Sequence, residues 1–138
     1  MAGTYTEILI IAPATAKAGA VVAVEARITN LCGDVISALP GFSSVNGMQL
    51  FPGAFDELVQ TIRIGETASW HDSFMMPESD ASIHAESWFE GAGLALHKDD
   101  EVDAAISLPT AEKGFPWLPV GLLGGALAVV ALKGKTTK

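Results

Sequence analysis

The stretch that decides the fold class is VVAVEARITN, residues 21–30. Apolar and polar side chains alternate along it, with the apolar ones at Val22, Val24, Ala26 and Ile28. A period of two is typical of a β-strand with one face on a core and the other in water. The stretch therefore predicts a half-buried strand.

Two later stretches repeat this alternation. DASIHAESWF, residues 80–89, and EVDAAISL, residues 101–108, place on one face Ala81, Ile83, Ala85 and Phe89, and Val102, Ala104, Ile106 and Leu108, respectively. Shorter strands are predicted at TYTEILIIA (4–12), VISAL (35–39), ELVQTIRI (57–64) and TASWHDSFMM (67–76). Gly and Pro separate these runs, and helical periodicity is absent before residue 115, so we expect an all-β antiparallel sandwich of about seven or eight strands. GFSSVNGMQLFPGAF (41–55) fits no regular strand pattern.

Two segments resemble a known family. PATAKAGAVVAVEARITN (13–30) and IRIGETASWHDSFMMPESDASIHAESW (62–88) are similar to the CARDB-like, immunoglobulin-like adhesion domains of bacterial, archaeal or viral surface proteins. The resemblance implies an immunoglobulin-like sandwich over about residues 4–108. It implies no catalytic residues, because this fold carries many unrelated functions.

Charge divides the chain of 138 residues into two parts. Residues 1–110 hold fifteen Asp or Glu and four Lys or Arg, a net charge of −11, whereas residues 111–138 hold one Glu and four Lys, a net charge of +3. An acidic body repels nucleic acid, so nucleic acid is a possible partner only through the lysine-rich tail. Cys32 is the single cysteine, which excludes an intramolecular disulfide, and the N-terminus shows no pattern of an export signal.

The C-terminal run FPWLPVGLLGGALAVVAL, residues 115–132, contains no charged residue. We expect a sandwich over 1–110, a linker over 111–118, a hydrophobic helix over 119–132 as a membrane anchor, and a lysine-rich tail over 133–138. The predicted anchor residues are Trp117, Leu118, Val120, Leu122, Leu123, Leu127, Val129, Val130 and Leu132; those predicted for helix packing are Gly121, Gly125 and Ala128; the charged flank is Lys133, Lys135 and Lys138.

The length of this helix is borderline for a membrane span. Seventeen residues from Pro116 to Leu132 would reach about 26 Å at about 1.5 Å per residue, short of a hydrocarbon core of about 30 Å. Small residues at G-x-x-x-G spacing allow helices of several copies to pack closely. The alternative is a helix buried in a soluble oligomer.

Few residues are candidates for chemistry. His71, His84 and His97 fall on or beside successive strands, so two of them could meet at a metal, although His84 shares a polar face with Glu86 and Trp88 and is expected to face solvent.

The acidic run HKDDEVD could offer carboxylates to Ca²⁺ from Asp99, Asp100, Glu101 and Asp103, but its spacing fits no EF-hand loop and a solvated acidic hairpin is the simpler interpretation. No nucleophile or phosphate-loop motif is present, so we expect no catalytic residue, metal or cofactor. Trp70, Phe74, Trp88 and Phe89 are expected to be core and rim aromatics, although an outward Trp88 could anchor a partner.

These observations favour a non-enzymatic structural or interaction protein. Lysines after the apolar segment predict that the tail stays in the cytoplasm and that the acidic body lies across the membrane, but the sequence shows no export signal that would take the body there. A multi-copy, membrane-associated component of a virion or surface assembly resolves this conflict. Its partners would be lipid, other copies of the chain and other structural proteins. The alternative is a cell-surface adhesion or ligand-binding module.

Overall fold

The computed structural model describes residues 3–109 and the backbone of residues 127–129. This part of the chain contains one short helix and ten strands. They are β1 (Thr6–Pro13), β2 (Val21–Asn30), β3 (Ile36–Leu39), β4 (Ser44–Val45), β5 (Met48–Gln49), α1 (Phe55–Leu58), β6 (Gln60–Ile62), β7 (Thr67–Met75), β8 (Ala81–Gly91), β9 (Leu94–Ile106) and β10 (Leu127–Val129).

The strands form two antiparallel sheets. The first has the order β10-β1-β2-β7. The second is built around β8, which pairs with β9 along one edge and with β4 and then β3 along the other; β5 lies beyond β4 and β6 beyond β3. The expected all-β sandwich is therefore confirmed.

The core lies between the sheets and is filled by the alternating residues that the sequence predicts. Val22, Val24, Ala26 and Ile28 of β2 are at most 2% exposed, and the four predicted inward residues of β8 are 0% exposed. Val102, Ala104 and Ile106 of β9 are buried as well, whereas Leu108 is partly buried because β9 ends at Ile106. Residues of both sheets belong to one hydrophobic cluster, and each fully buried Val, Ile or Phe stabilises the fold by about 1.5–3 kcal/mol.

The segment between β3 and β6 differs from the expected pattern. Residues 57–64 were expected to be a strand, but Phe55–Leu58 form α1 and only Gln60–Ile62 form β6. The Ala54 N–H donates to Glu57 Oε1 at 3.0 Å, which satisfies one backbone donor at the start of the helix. A single turn is too short to show helical periodicity, so the sequence pattern gave no sign of α1.

A hairpin occupies the stretch that fits no strand pattern. β4 and β5 pair through Ser44–Gln49 and Val45–Met48, and the two residues between them, Asn46 and Gly47, have φ of 47° and 85°. A two-residue turn with positive φ at both positions has a backbone twist that matches the twist of the two strands it connects, and it is therefore common in β-hairpins.

Three residues of the predicted C-terminal helix lie in a strand. Leu127–Val129 form β10, which pairs antiparallel with Ile11–Pro13. Backbone groups at an otherwise unpaired strand edge favour pairing with an added strand, and this explains the departure from a helix. No helix within residues 3–109 or 127–129 is long and apolar enough to span a membrane. The predicted linker, the remaining residues of the predicted anchor and the lysine tail lie outside the described residues.

Candidate functional site

The outer face of the second sheet, away from the core, carries the candidate site. Along β8 the side chains of His84, Glu86 and Trp88 alternate with buried ones and are half-buried, as the sequence predicts for this polar face. Trp88 lies next to an apolar cleft, and His84 and Glu86 belong to a cluster of charged groups.

The apolar cleft has a volume of about 790 Å³. Its walls come from residues 39–44, the β4–β5 hairpin, residues 50–58, Trp88 and Leu96. Most of the irregular 41–55 stretch thus lines the cleft, and only its β4–β5 hairpin adds strands to the second sheet.

Phe42 stands at the mouth of the apolar cleft in an unusual backbone conformation. Its φ is 53° and it is 75% exposed. Its ring lies against Trp88, with centroids 5.1 Å apart. A bulky residue in the left-handed region costs about 1–3 kcal/mol, and such strain is found mainly at functional sites. Phe42 is therefore a candidate contact residue that alternation alone did not reveal.

Trp88 is held in a defined orientation. Its indole N–H donates to Glu86 Oε1 at 2.9 Å. Gly41 lies so close that a Cβ there would be 2.9 Å from the Trp88 Cδ1 atom, so a side chain at position 41 would displace the ring. Trp88 thus presents a fixed aromatic surface to the cleft, in agreement with the expectation that it could face outward.

The floor of the apolar cleft is tied to the first sheet. Phe51, with φ of 52°, is only 3% exposed, and its N–H donates to Asp72 Oδ2 at 2.8 Å. The indole N–H of Trp70 donates to the Leu58 carbonyl at 2.6 Å. The Asp72 carboxylate and the Trp70 indole, both on β7, thus hold residues 50–58 in place. The cleft is therefore preformed in the unbound chain.

The second feature is the His84 cluster, which consists of His84, Glu86, Lys98, Glu101 and Asp103. Asp103 Oδ1 is 2.9 Å from His84 Nδ1, and Glu86 Oε2 is 2.8 Å from His84 Nε2. Glu101 Oε1 is 3.8 Å from the same Nε2 atom and accepts from Lys98 Nζ at 2.7 Å. These groups meet because β8 and β9 pair His84 with Asp103 and Glu86 with Glu101.

Carboxylates control the protonation of this cluster. Partial burial alone would lower the pKa of His84, but its hydrogen bonds to Glu86 and Asp103 and their charges outweigh burial and raise that pKa above the ordinary value. The hydrogen bond to Glu101 likewise raises the pKa of Lys98. The carboxylates therefore stabilise the protonated forms of His84 and Lys98.

The three histidines do not share a site. His71 lies on β7 in the first sheet, opposite Glu25. His97 turns toward the core side, where its ring lies 4.6 Å from Phe89 and its Nδ1 atom is 2.8 Å from the Ala95 carbonyl. The hypothesis of a metal shared by two histidines is therefore wrong.

The acidic run is divided between the two faces of β9. Pairing shifts between Ser87 opposite Asp100 and Trp88 opposite Lys98, so Asp99 is the extra residue of a β-bulge. Asp99 Oδ2 accepts from the N–H and the hydroxyl of Thr6, each at 2.7 Å. Asp100 is 3% exposed and accepts from the Ile8 N–H at 2.9 Å. Asp99 and Asp100 thus join β1 to β9, and the four carboxylates do not form the calcium site that the run suggested.

Part of the His84 cluster could have been found in the sequence. His84 and Glu86 are two residues apart on one strand, as are Glu101 and Asp103 on the next, and a hairpin places such pairs opposite one another. The bulge that sets their register has no comparable sequence signal.

Comparisons with protein families, with curated proteins and with solved structures find no match for this chain.

Proposed function

We propose that this chain is a non-enzymatic structural protein whose sandwich receives a segment of a second copy in the apolar cleft. The exposed, strained Phe42 above a cleft with a fixed floor is the observation that carries the proposal. Aromatic anchors at the centre of a contact supply much of the affinity of an interface, and a preformed cleft lowers the entropic cost of binding.

The proposed occupant is KGFPWLP, residues 113–119 of another copy. Its prolines disfavour helix at the residues before them and favour an extended segment, and Pro-containing extended segments bind aromatic-lined grooves. Phe115, Trp117 and Leu118 supply the apolar side chains.

Charge supports the same occupant. The helix α1, beside the cleft, carries exposed Asp56 and Glu57 next to Phe55. Lys113 flanks the apolar residues of the segment, and residues 111–138 carry +3 against −11 for residues 1–110. Complementary charge favours approach of the C-terminal part of one copy to the body of another.

Chain length favours a second copy over the chain's own segment. The Leu108 N–H donates to Asp80 Oδ1 at 2.9 Å, which places the end of the described body beside the start of β8. Trp88 lies about 23 Å further along that strand, at about 3.3 Å per residue. The eight Cα-to-Cα steps from Pro109 to Trp117 span at most about 26–29 Å when the chain is fully extended. Docking within one copy would therefore require an almost straight chain.

The remaining part of the proposal concerns the membrane. Residues 119–132, followed by Lys133 and Lys135, support attachment to lipid at a virion membrane or cell surface. Insertion would require Leu127–Val129 to leave β1. Two facing antiparallel sheets support the immunoglobulin-like part of the proposal, and the CARDB-like part is proposed from the sequence resemblance alone.

A labelled peptide of residues 111–120 tests the cleft directly. We expect it to bind the full-length chain, measured by fluorescence polarisation, and to bind Phe42→Asn at least about tenfold more weakly, since an interface anchor contributes about 1.4 kcal/mol or more. Ile64→Asn is the matched control, because Ile64 is 59% exposed and lies outside the cleft. Equal binding to all three proteins would refute the proposal. Binding of a glycan or other small ligand that requires Phe42, without peptide binding, would favour the adhesion or ligand-binding alternative.

A further inference from the structure

The β8–β9 hairpin brings together three ligand atoms of the kind that zinc prefers. His84, Glu86 and Glu101 each offer one ligand atom, and these atoms lie within 4.8 Å of one another. His84 Nε2 is 2.8 Å from Glu86 Oε2 and 3.8 Å from Glu101 Oε1. Ligand atoms bound tetrahedrally at about 2.0–2.2 Å from zinc are about 3.3–3.6 Å apart, between the two observed distances.

The surrounding residues already orient two of these ligands. Asp103 Oδ1 lies 2.9 Å from His84 Nδ1 and can accept its N–H, so loss of the proton from Nε2, which faces Glu86 Oε2 at 2.8 Å, would make Nε2 a metal ligand. The Trp88 indole donates to Glu86 Oε1 and turns Oε2 toward His84. In zinc sites, a ligating histidine commonly donates a hydrogen bond to a carboxylate, and a ligating carboxylate accepts one from a neighbouring donor. These hydrogen bonds fix the orientation of the ligands.

Lys98 acts as a tethered cation at the same oxygens. Its Nζ atom lies 2.7 Å from Glu101 Oε1 and 3.7 Å from Glu86 Oε2. The side chain is 40% exposed, so the ammonium can move into solvent without being buried elsewhere. A divalent ion would bring two positive charges to the carboxylates of Glu86, Glu101 and Asp103 in place of this ammonium.

We propose that His84, Glu86 and Glu101 bind a divalent metal of the zinc class, with Asp103 and Trp88 as positioning residues and Lys98 as a competitor. The ion would link β8 to β9 on the outer face and displace the ammonium from the carboxylates. Water completes the coordination, since the side chains of the three ligands are 30%, 15% and 21% exposed. The proposal is independent of the partner in the apolar cleft.

Zn²⁺ alone is the probe, titrated calorimetrically into the full-length chain after treatment with a chelator. We expect one ion per chain. His84→Ala should abolish binding, Asp103→Asn should weaken it by about 10–100-fold, and His71→Gln should leave it unchanged. Co²⁺ should give the visible absorption bands of a four-coordinate ion, and these should disappear in His84→Ala.

Lys98→Met keeps the proposal testable even if another variant folds poorly. Because it removes the competing cation, it should tighten Zn²⁺ binding, and an unfolded protein cannot produce that result. The absence of stoichiometric binding to the wild-type chain would overturn the proposal. So would loss of binding in His71→Gln, full binding in His84→Ala, or unchanged or weaker binding in Lys98→Met.

Discussion

Asp99 and Asp100 close the side of the sandwich where β1 meets β9. They join a buried network with Thr6 and Ser87, whose hydroxyl oxygens are 2.7 Å apart. The Asp100 N–H also donates to the Ser87 hydroxyl oxygen at 3.0 Å. Four acidic residues within Asp99–Asp103 suggest one solvated patch in the sequence, but the bulge turns Asp99 and Asp100 toward the interior and leaves Glu101 and Asp103 outside.

Removal of the Asp100 carboxylate should destabilise the sandwich. Asp100→Ala leaves the buried Ile8 N–H without the acceptor at 2.9 Å, so we expect the free energy of unfolding to fall by about 1–3 kcal/mol. Glu78→Ala, at an exposed position, is the control and should change it by less than about 0.5 kcal/mol. Urea denaturation measures both, and equal effects would show that the network does not stabilise the edge.

Two phenylalanines with the same backbone conformation should respond differently to the same substitution. Phe42 and Phe51 have φ of 53° and 52° but are 75% and 3% exposed, respectively. Asn tolerates the left-handed region, so Phe42→Asn should leave the unfolding free energy within about 1 kcal/mol of wild type. Phe51→Asn should lower it by about 3 kcal/mol or more, because it empties a core position. If thermal or chemical denaturation shows a large loss for Phe42→Asn, its ring contributes mainly to the fold and is not held ready for a partner.

At the scale of elements, the strands with one buried face were the predictable ones. The alternation in β2, β8 and β9 is long enough to define a face, and nearly every residue assigned to that face is buried. β4 and β5 have two residues each and α1 has four, too few to show any period. Their position depends on tertiary contacts such as the one between Phe51 and Asp72, which no local pattern contains.

The Asn46–Gly47 turn was the readable signal within the irregular stretch. An Asn-Gly pair with apolar residues on both sides, here Val45 and Met48, predicts a two-residue hairpin. In the turn between β8 and β9, Ala92 has a φ of 53°. Alanine rarely adopts the left-handed conformation, so the sequence does not predict it there. The cleft was unpredictable from the sequence because one of its walls is this hairpin and another is α1.

Gly47 should be required for backbone reasons alone. Its φ is 85° and no atom lies within 4 Å of the Cβ that an alanine would add, so Gly47→Ala should cost about 1 kcal/mol through strain without any clash. Gly33 also has open space but lacks a left-handed φ, and Gly33→Ala should be neutral or stabilising by up to about 1 kcal/mol. Chemical denaturation of the two variants compares them; the reverse ranking would mean that the hairpin turn is wrongly described.

At the scale of the whole molecule, the C-terminal segment has two competing environments. Leu127–Val129 pair with β1, whereas the apolar run that contains them is also suited to lipid. We expect the full-length chain to float with liposomes. Leu123→Lys with Val130→Lys should abolish flotation, since each charge near the bilayer centre costs about 2.5–3.5 kcal/mol.

A second double variant is the control for lipid attachment. Gly121→Leu with Gly125→Leu keeps the segment apolar and should preserve flotation, while disturbing any close packing of helices through these glycines. If the lysine variant still floats, the segment lies in a protein environment and does not insert into lipid.

In the proposed assembly, the cleft of one copy receives the C-terminal segment of another. Full-length Phe42→Asn retains an intact segment but a damaged cleft, and full-length Trp117→Ala retains an intact cleft but a damaged segment. Sedimentation velocity of each variant alone and of an equimolar mixture, in mild detergent, is the most direct test. We expect neither variant to associate alone and the mixture to form a one-to-one complex. A mixture that stays monomeric, or variants that each associate as well as wild type, would refute the proposed assembly.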